Sequence, residues 1–373
     1  MFILLLTLAA ATAADPRQDA GTRAAETFKR ATHLEAKGDA AGALALLWEA
    51  AGLAPGDADI QNRLGEALER VGALDAAVDA YRLAVAARPG FTSASNNLIL
   101  ALVKAGRARE AVERARAEVA AAPDDPARHF TLGLAQSEPD VDAAIASFRR
   151  VLALAPRHTL ARYNLALVLK RADRMTEAID ELQKVLDAEP RADAYYHLGV
   201  IYLHRGDVGR AAAALRAAIA AQPGYADAHY TLGAVLQARR DWTGAAAALR
   251  RAIALRPDLP GAHYTLARVL RAAGDEPAAE RHFTEAERLR DLARREQEAR
   301  VWTAVGTKRL ESNDADGAID SFRRATAILE TYAPAHYQLG RALQRLGQAD
   351  AARAAFARAQ ALNPSLVAPR PPR

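Results

Sequence analysis

The chain is predicted to fold as an all-α solenoid, and three observations carry that expectation. Alanine recurs at Ala43, Ala77, Ala111, Ala144, Ala178, Ala211, Ala245, Ala279, Ala318 and Ala352, a period near 34 residues. Proline recurs twelve residues after most of them, at Pro55, Pro89, Pro123, Pro156, Pro190, Pro223, Pro257 and Pro364. No stretch alternates with the period of two that a half-buried strand requires. A fixed period of this length marks a repeat protein, in which each unit covers its apolar face against its neighbours.

With the alanine as position 20 and the proline as position 32, each unit reads as two helices. The first carries a stripe at positions 4, 7, 8 and 11, with position 7 reading Leu64, Leu98, Leu132, Leu165, Leu198, Leu232, Leu266, Val305 and Leu339. That spacing is one face of a helix. Position 8 is small at Ala31, Gly65, Gly133, Ala166, Gly199, Gly233, Ala267, Gly306 and Gly340, with Ile99 the exception. Glycine at position 15 (Gly38, Gly72, Gly106, Gly206, Gly274, Gly347) ends the first helix, because a left-handed C-terminal residue costs glycine little. Asp75, Asp142, Thr176, Thr243, Asp316 and Asp350 at position 18 are expected to cap the second helix. The second helix has its own stripe at positions 20, 24 and 27 and stops at the proline. Small residues at 8 and 20 let the two backbones approach closely.

This pattern resembles the tetratricopeptide repeat: Leu-Gly at 7–8, Ala at 20, an aromatic or Leu at 24, Ala at 27 and Pro at 32. The resemblance covers about ten units and implies a right-handed α-solenoid. Three units depart from the pattern. The first has Arg30 at position 7 and is expected to fray. The fourth has a turn one residue short, around Ser137-Glu138-Pro139-Asp140. Between the eighth and ninth the proline is missing and five residues are extra, so Arg288 to Arg300 reads as one lengthened, charged helix. The expected organisation is a signal peptide at 1–13, a short segment at 14–23, units 1–8 at 24–293, a helix insertion at 294–298, units 9–10 at 299–366, and a Pro/Arg-rich tail at 367–373.

Met1-Phe2-Ile3-Leu4-Leu5-Leu6-Thr7-Leu8 and the alanines after it form an apolar run ending in Ala11-Thr12-Ala13. That resembles a secretory signal cut near Ala13 or Ala14, and implies a periplasmic or secreted protein. If the run is not a signal, the alternative is a cytoplasmic adaptor. It is too short to span a bilayer comfortably, so no integral membrane span is expected. The chain has no cysteine, which excludes disulfides and thiolate metal sites.

The formal net charge is +5, and only six of the 50 basic residues are Lys. The arginines lie scattered among acids without the clustered face that phosphate binding needs, so nucleic acid is not expected as a partner. Phosphate loops, nucleophile elbows and closely spaced metal-ligand motifs are missing. No catalytic residue, cofactor or metal is therefore expected, and the chain reads as a non-enzyme.

Three features could carry binding. His129, His229, His263 and His336 recur at position 4. Equivalent positions on stacked helices lie about 8–10 Å apart, so neighbours such as His229 and His263 do not share a metal, and these residues read as packing. Position 5 is aromatic at Phe28, Phe130, Tyr163, Tyr196, Tyr230, Tyr264 and Tyr337. The resemblance implies that this position faces a concave groove, where tyrosine's rigid ring and polar tip suit peptide recognition. Asn97 and Asn164 at position 6, with Asn62 one position earlier, offer paired amide donors and acceptors to a peptide backbone. The carboxylate clamp of some relatives needs Lys at position 5 and is not expected here. The expected groove thus comprises Asn97, Phe130, Tyr163, Asn164, Tyr196, Tyr230, Tyr264 and Tyr337. The expected function is a protein-interaction scaffold for an extended peptide or partner helix. An envelope assembly factor is the alternative, forming a homodimer or docking a partner through the C-terminal repeat near Leu346, Phe356 and Leu362.

Overall fold

The computed structural model of the chain describes residues 16–364 and residue 366, with nineteen α-helices and no strand among them. The expected signal at 1–13, its cleavage at Ala13 or Ala14, and the tail at 367–373 lie outside the described residues. The helices fall into two compact units that divide between Pro190 and Arg191. The first unit holds α1 (Pro16–Ala36), α2 (Ala40–Leu53), α3 (Ala58–Arg70), α4 (Leu74–Ala87), α5 (Thr92–Lys104), α6 (Ala108–Ala121), α7 (Pro126–Gln136), α8 (Val141–Leu154), α9 (Thr159–Arg171) and α10 (Met175–Ala188). The second holds α11 (Ala192–His204), α12 (Val208–Ala221), α13 (Ala226–Ala238), α14 (Trp242–Leu255), α15 (Pro260–Ala272), α16 (Glu276–Glu311), α17 (Ala315–Ile328), α18 (Ala333–Arg345) and α19 (Ala349–Leu362). Within each unit every helix packs on the one before and after it in sequence, the order of an α-solenoid.

The turn between the two helices of a repeat follows from backbone chemistry. Gly38, Gly72, Gly106, Gly206, Gly274 and Gly347 all have φ between 72° and 87°, as expected for a left-handed cap. Where glycine is missing, Asp173, Arg240 and Asn313 take the same conformation at φ 59–63°. The capping expectation is corrected by two residues. The side chains that accept from the second helix are Asp39, Asp140, Asp207, Asp241, Asp275 and Asp314, at position 16, each bonded to the amide three residues on at 2.9–3.1 Å. Position 18 already lies inside the first turn, where Asp75, Asp142, Asp316 and Asp350 face the positive end of the helix dipole instead.

Close packing inside each repeat comes from matched sizes at positions 8 and 24. A Cβ built on Gly233 would lie 2.5 Å from Leu249, on Gly133 2.7 Å from Phe148, and on Gly199 2.7 Å from Leu215. Gly65 under Tyr81, Gly306 under Phe322 and Gly340 under Phe356 repeat the arrangement. The exception proves complementary, since Ile99 at position 8 belongs to the repeat whose position 24 is Ala115, and both are buried in one cluster. This geometry also corrects the expectation that Phe356 lines an open docking surface. Its ring is 7% exposed, fills the space over Gly340 and meets Tyr337, while Leu346 is 40% exposed.

Two departures resolve differently from one another. The first repeat is not frayed, because α1 is continuous from Pro16 and absorbs residues 16–23 as well. Glu26, Arg30 and His33 are all exposed, on the side of α1 where no described repeat stands. A polar end face is what an array terminus requires. The lengthened helix is present as expected, but it is longer than an insertion. α16 runs 36 residues without a break and contains both the second helix of repeat 8 and the first helix of repeat 9.

Ala211 is fully buried, and its carbonyl oxygen lies 3.4 Å from where a Cβ on Gly199 would sit. Ala211→Leu should therefore lower stability by about 1–3 kcal/mol through overpacking. Thermal melting followed by circular dichroism measures it, and an unchanged curve would mean that the helix contact there is loose.

Candidate functional site

The first helices of the repeats line one side of each unit. In the first unit α3 touches α5 and α5 touches α7; in the second, α11 touches α13, α13 touches α15, and α16 touches α18. No comparable contact joins second helices among the described residues. Helices drawn together on one side and not the other make that side the inner one, so the surface of the first helices is the recessed face of each unit.

The sequence-selected aromatics sit on this face with part of each ring engaged. In the first unit Phe130 meets Phe148 at 5.8 Å and stacks on His158 at 5.2 Å, and Tyr163 is half-buried. In the second unit Tyr196 leans on Tyr225 at 5.1 Å, and Tyr230 brings its hydroxyl against Gly261, where an added Cβ would lie 3.0 Å from it. Tyr264 meets Phe283 at 5.5 Å with Arg290 over its face at 4.7 Å, yet remains 38% exposed. Tyr337 packs edge-on against Phe356 at 5.5 Å. The Tyr225 hydroxyl is pushed up to about 12, by burial first and then by its neighbour Tyr196, so it stays a neutral donor. Position 5 is thus a braced ring: one edge packs on the scaffold, the rest faces outward.

The asparagines behave differently from one another. Asn97 donates to Asn62 at 3.1 Å, and Asn62 donates to Glu66 at 2.9 Å, a short amide chain across two first helices. Asn164 donates to Leu160 of its own helix at 2.8 Å. These amide N–H groups are already engaged within the chain.

The recurring histidines have a role that position counting did not reveal. Nε2 of His129, His229, His263 and His336 reaches the carbonyl of Pro123, Pro223, Pro257 and Glu330, the position-32 residue of the preceding repeat, at 2.8–3.1 Å. Gln61 and Arg162 at the same position reach Pro55 and Pro156 at 3.0 and 2.9 Å. At these six repeats position 4 therefore supplies the donor for a carbonyl left over at the turn between repeats. The signal was a recurring donor type six residues after the position-32 residue, whose partner is backbone and so invisible in side-chain patterning.

His263 also meets His282, Nδ1 to Nδ1, at 3.1 Å. Because a carbonyl only accepts, His263 carries its proton on Nε2, so its Nδ1 accepts from the Nδ1–H of His282. Among the described residues no group of three or more His, Cys, Asp or Glu is placed to hold a metal ion. Many arginines are paired with carboxylates, including Arg63 with Glu35 and Glu66, Arg128 with Glu118, Arg162 with Glu181, and Arg256 with Asp227.

A sequence profile of the tetratricopeptide repeat matches residues 28–90, 139–191, 177–226, 205–260 and 230–293, and a second profile of the same repeat matches 309–368. The chain belongs to the tetratricopeptide repeat family. Its architecture is similar to that of a tetratricopeptide repeat protein from Parabacteroides merdae ATCC 43184, at 18% identity over 67% of this chain and 99% of that one, with a TM-score of 0.55. MamA protein aligns at 25% identity over 44% of this chain and 91% of its own, with a TM-score of 0.41. YrrB, described as a TPR protein with an unusual peptide-binding site, aligns at 18% identity over 48% of this chain and 93% of its own, with a TM-score of 0.41. No curated protein matches this chain. Family and fold together make this repeat array a protein-interaction scaffold.

The His282 imidazole is held below its ordinary value of 6.5, by burial first, then by His263, Arg250 and Arg281, with Glu285 opposing. A group with a depressed folded value binds its proton more readily in the unfolded chain. The stability it contributes is therefore complete above about 6.5 and is lost as pH falls through the lower folded value. The melting temperature should drop on acidification from about pH 7 to about pH 5, and His282→Gln should flatten part of that drop. Parallel pH profiles for the two proteins would overturn the assignment.

Proposed function

We propose that this protein is a non-enzymatic scaffold that holds an extended peptide or a partner's helix on the inner face of its second unit. The observation that carries the reading is the set of half-open tyrosines on consecutive first helices: Tyr196 on α11, Tyr230 on α13 and Tyr264 on α15. Each ring is braced from one side, which removes much of the entropy cost of holding it, and each presents an apolar body with a polar tip. Aromatics of this kind, at the centre of a recessed face, dominate peptide affinity. Many of the arginines pair with neighbouring carboxylates, among them Arg63, Arg128, Arg162 and Arg256, which favours a peptide over nucleic acid. No helix among the described residues is long and apolar enough to cross a membrane.

We further infer from the apolar run at Met1–Ala13 that the protein is exported and acts in the cell envelope or outside the cell. Fusing the first 25 residues to a reporter active only outside the cytoplasm tests this. A silent reporter, with the fusion expressed, would make the protein a cytoplasmic adaptor.

Replacing Tyr196, Tyr230 and Tyr264 together by Ala should weaken a peptide selected on the native protein by about 2 kcal/mol per ring that acts as a hot spot. Helicity should change little, since each ring is only partly buried and the Gly, Ala and Leu contacts that join the helices stay in place. Titration by fluorescence anisotropy reads the affinity. Undiminished binding would move the site off this face.

A further inference from the structure

Position 3 of the first helix reports whether a repeat stands in front of it. Ala94, Ala161, Ala228, Ala262 and Ala335 at this position are fully buried, whereas Val301 in repeat 9 is 51% exposed. The reason is α16. Everywhere else in the two units a turn separates the second helix of one repeat from the first helix of the next, so the two pack side by side. In α16 the same two segments are collinear, so the repeat 9 half cannot lie beside the repeat 8 half. Repeats 9 and 10 accordingly build their own clusters around Leu310, Phe322 and Phe356 and around Ala299 and Ala325, apart from the cluster of repeats 6 to 8.

Both sides of this broken junction differ in residue type from the intact ones. At intact junctions position 21 of one repeat and position 10 of the next are both apolar and share a cluster: Val78 with Ala101, Ala212 with Val235, Ala246 with Val269, Ile319 with Ala342. At the broken junction the corresponding residues are Glu280 and Lys308, opposite charges, and both are exposed. An isolated polar cap does not require that match.

We propose that two copies of this chain pair through antiparallel α16 helices, so that repeat 8 of each copy stacks on repeat 9 of the other. A stripe along the length of α16 supports it, spaced alternately by four and three residues: Glu280, Thr284, Glu287, Asp291, Arg294, Glu298, Val301 and Lys308 are exposed, and Val305 is half-buried. That spacing keeps one face in line along the helix, and its residues are mostly charged, so the two copies are matched by charge rather than by an apolar seam. Glu280 faces Lys308 of the second copy, and Glu287 faces its Val301; both pairs place the two-fold axis at residue 294. Antiparallel pairing sets the acidic half of the stripe over the apolar and basic half, whereas parallel pairing would set Glu280 and Glu287 on themselves. At the axis Asp291 approaches Glu298 of the second copy, and Arg294, which pairs with both carboxylates within its own chain, lies between them. The exchange of identical elements closes a two-fold dimer and restores to repeat 9 the neighbour that every other internal repeat of the unit has.

The native chain has no cysteine, so single cysteines report the geometry cleanly. Arg294→Cys should form an intermolecular disulfide on mild oxidation. Lys308→Cys alone should not, because its two copies would lie about 42 Å apart along the helices at 1.5 Å per residue. A mixture of Lys308→Cys with Glu280→Cys should cross-link. Light scattering across a concentration series should show a dimer that Lys308→Glu weakens about tenfold and that Glu280→Lys with Lys308→Glu restores. A monomer at every concentration would overturn the proposal, as would a dimer in which Arg294→Cys fails to cross-link or Lys308→Cys cross-links to itself.

Discussion

The fold depends on how closely the two helices of each repeat approach. That distance is set where position 8 of the first helix meets position 24 of the second, and it is held constant by exchanging volume between them. Glycine lies under tyrosine, phenylalanine or leucine, and isoleucine goes with alanine. Interiors packed to crystal density transmit such changes rather than absorb them. A repeat with the wrong interhelix distance would tilt its first helix, and with it the residues on the inner face. The period of small residues is therefore also what positions the tyrosines.

Joining one repeat to the next is a second problem with a separate solution. Apolar contacts at positions 21 and 10 supply much of the burial, but the proline turn leaves a carbonyl without a helical partner. Buried or half-buried carbonyls must be satisfied. Gln61, His129, Arg162, His229, His263 and His336 do this with three different side chains that share only a donor of sufficient length. Function at this position is geometric, so three residue types serve the same hydrogen bond, whereas Ser95, too short to reach, bonds Glu118 instead.

These distinctions explain what was legible in the sequence. Constraints acting on one residue through sterics left a clear period: the buried alanines, the left-handed glycines and the helix-stopping prolines. The missing proline before repeat 9 likewise announced a continuous helix. What escaped depends on partners distant in sequence or on backbone. The cap lies at position 16 rather than 18 because the turn is tighter than the stripe suggests. Phe356 read as a surface residue because its counterpart, Gly340, lies one helix earlier. At the candidate site the aromatic positions were visible as a column, but not their bracing by Tyr225, Phe283 or Arg290, nor the internal use of Asn97 and Asn164.

Bracing and openness together make the inner face suited to recognition. A tyrosine free to rotate would lose entropy on binding, while one packed on all sides would offer no surface. Tyr264 has Phe283 at its edge and Arg290 over one face, yet over a third of it remains open. Phe283 occupies position 24 of the same repeat, so the residue that sets the helix spacing also fixes the ring. Arg290 comes from α16 just beyond the point where other second helices stop, so the lengthened helix extends the site as well as the array. The residue types along α16 follow from that double duty. Its inward side is small and buried at Ala279, Ala286 and Ala299, while its outward side is charged at Glu280, Glu287 and Lys308. A helix that only linked two stacks would need the first side; the ordered charges on the second are what an external partner would read.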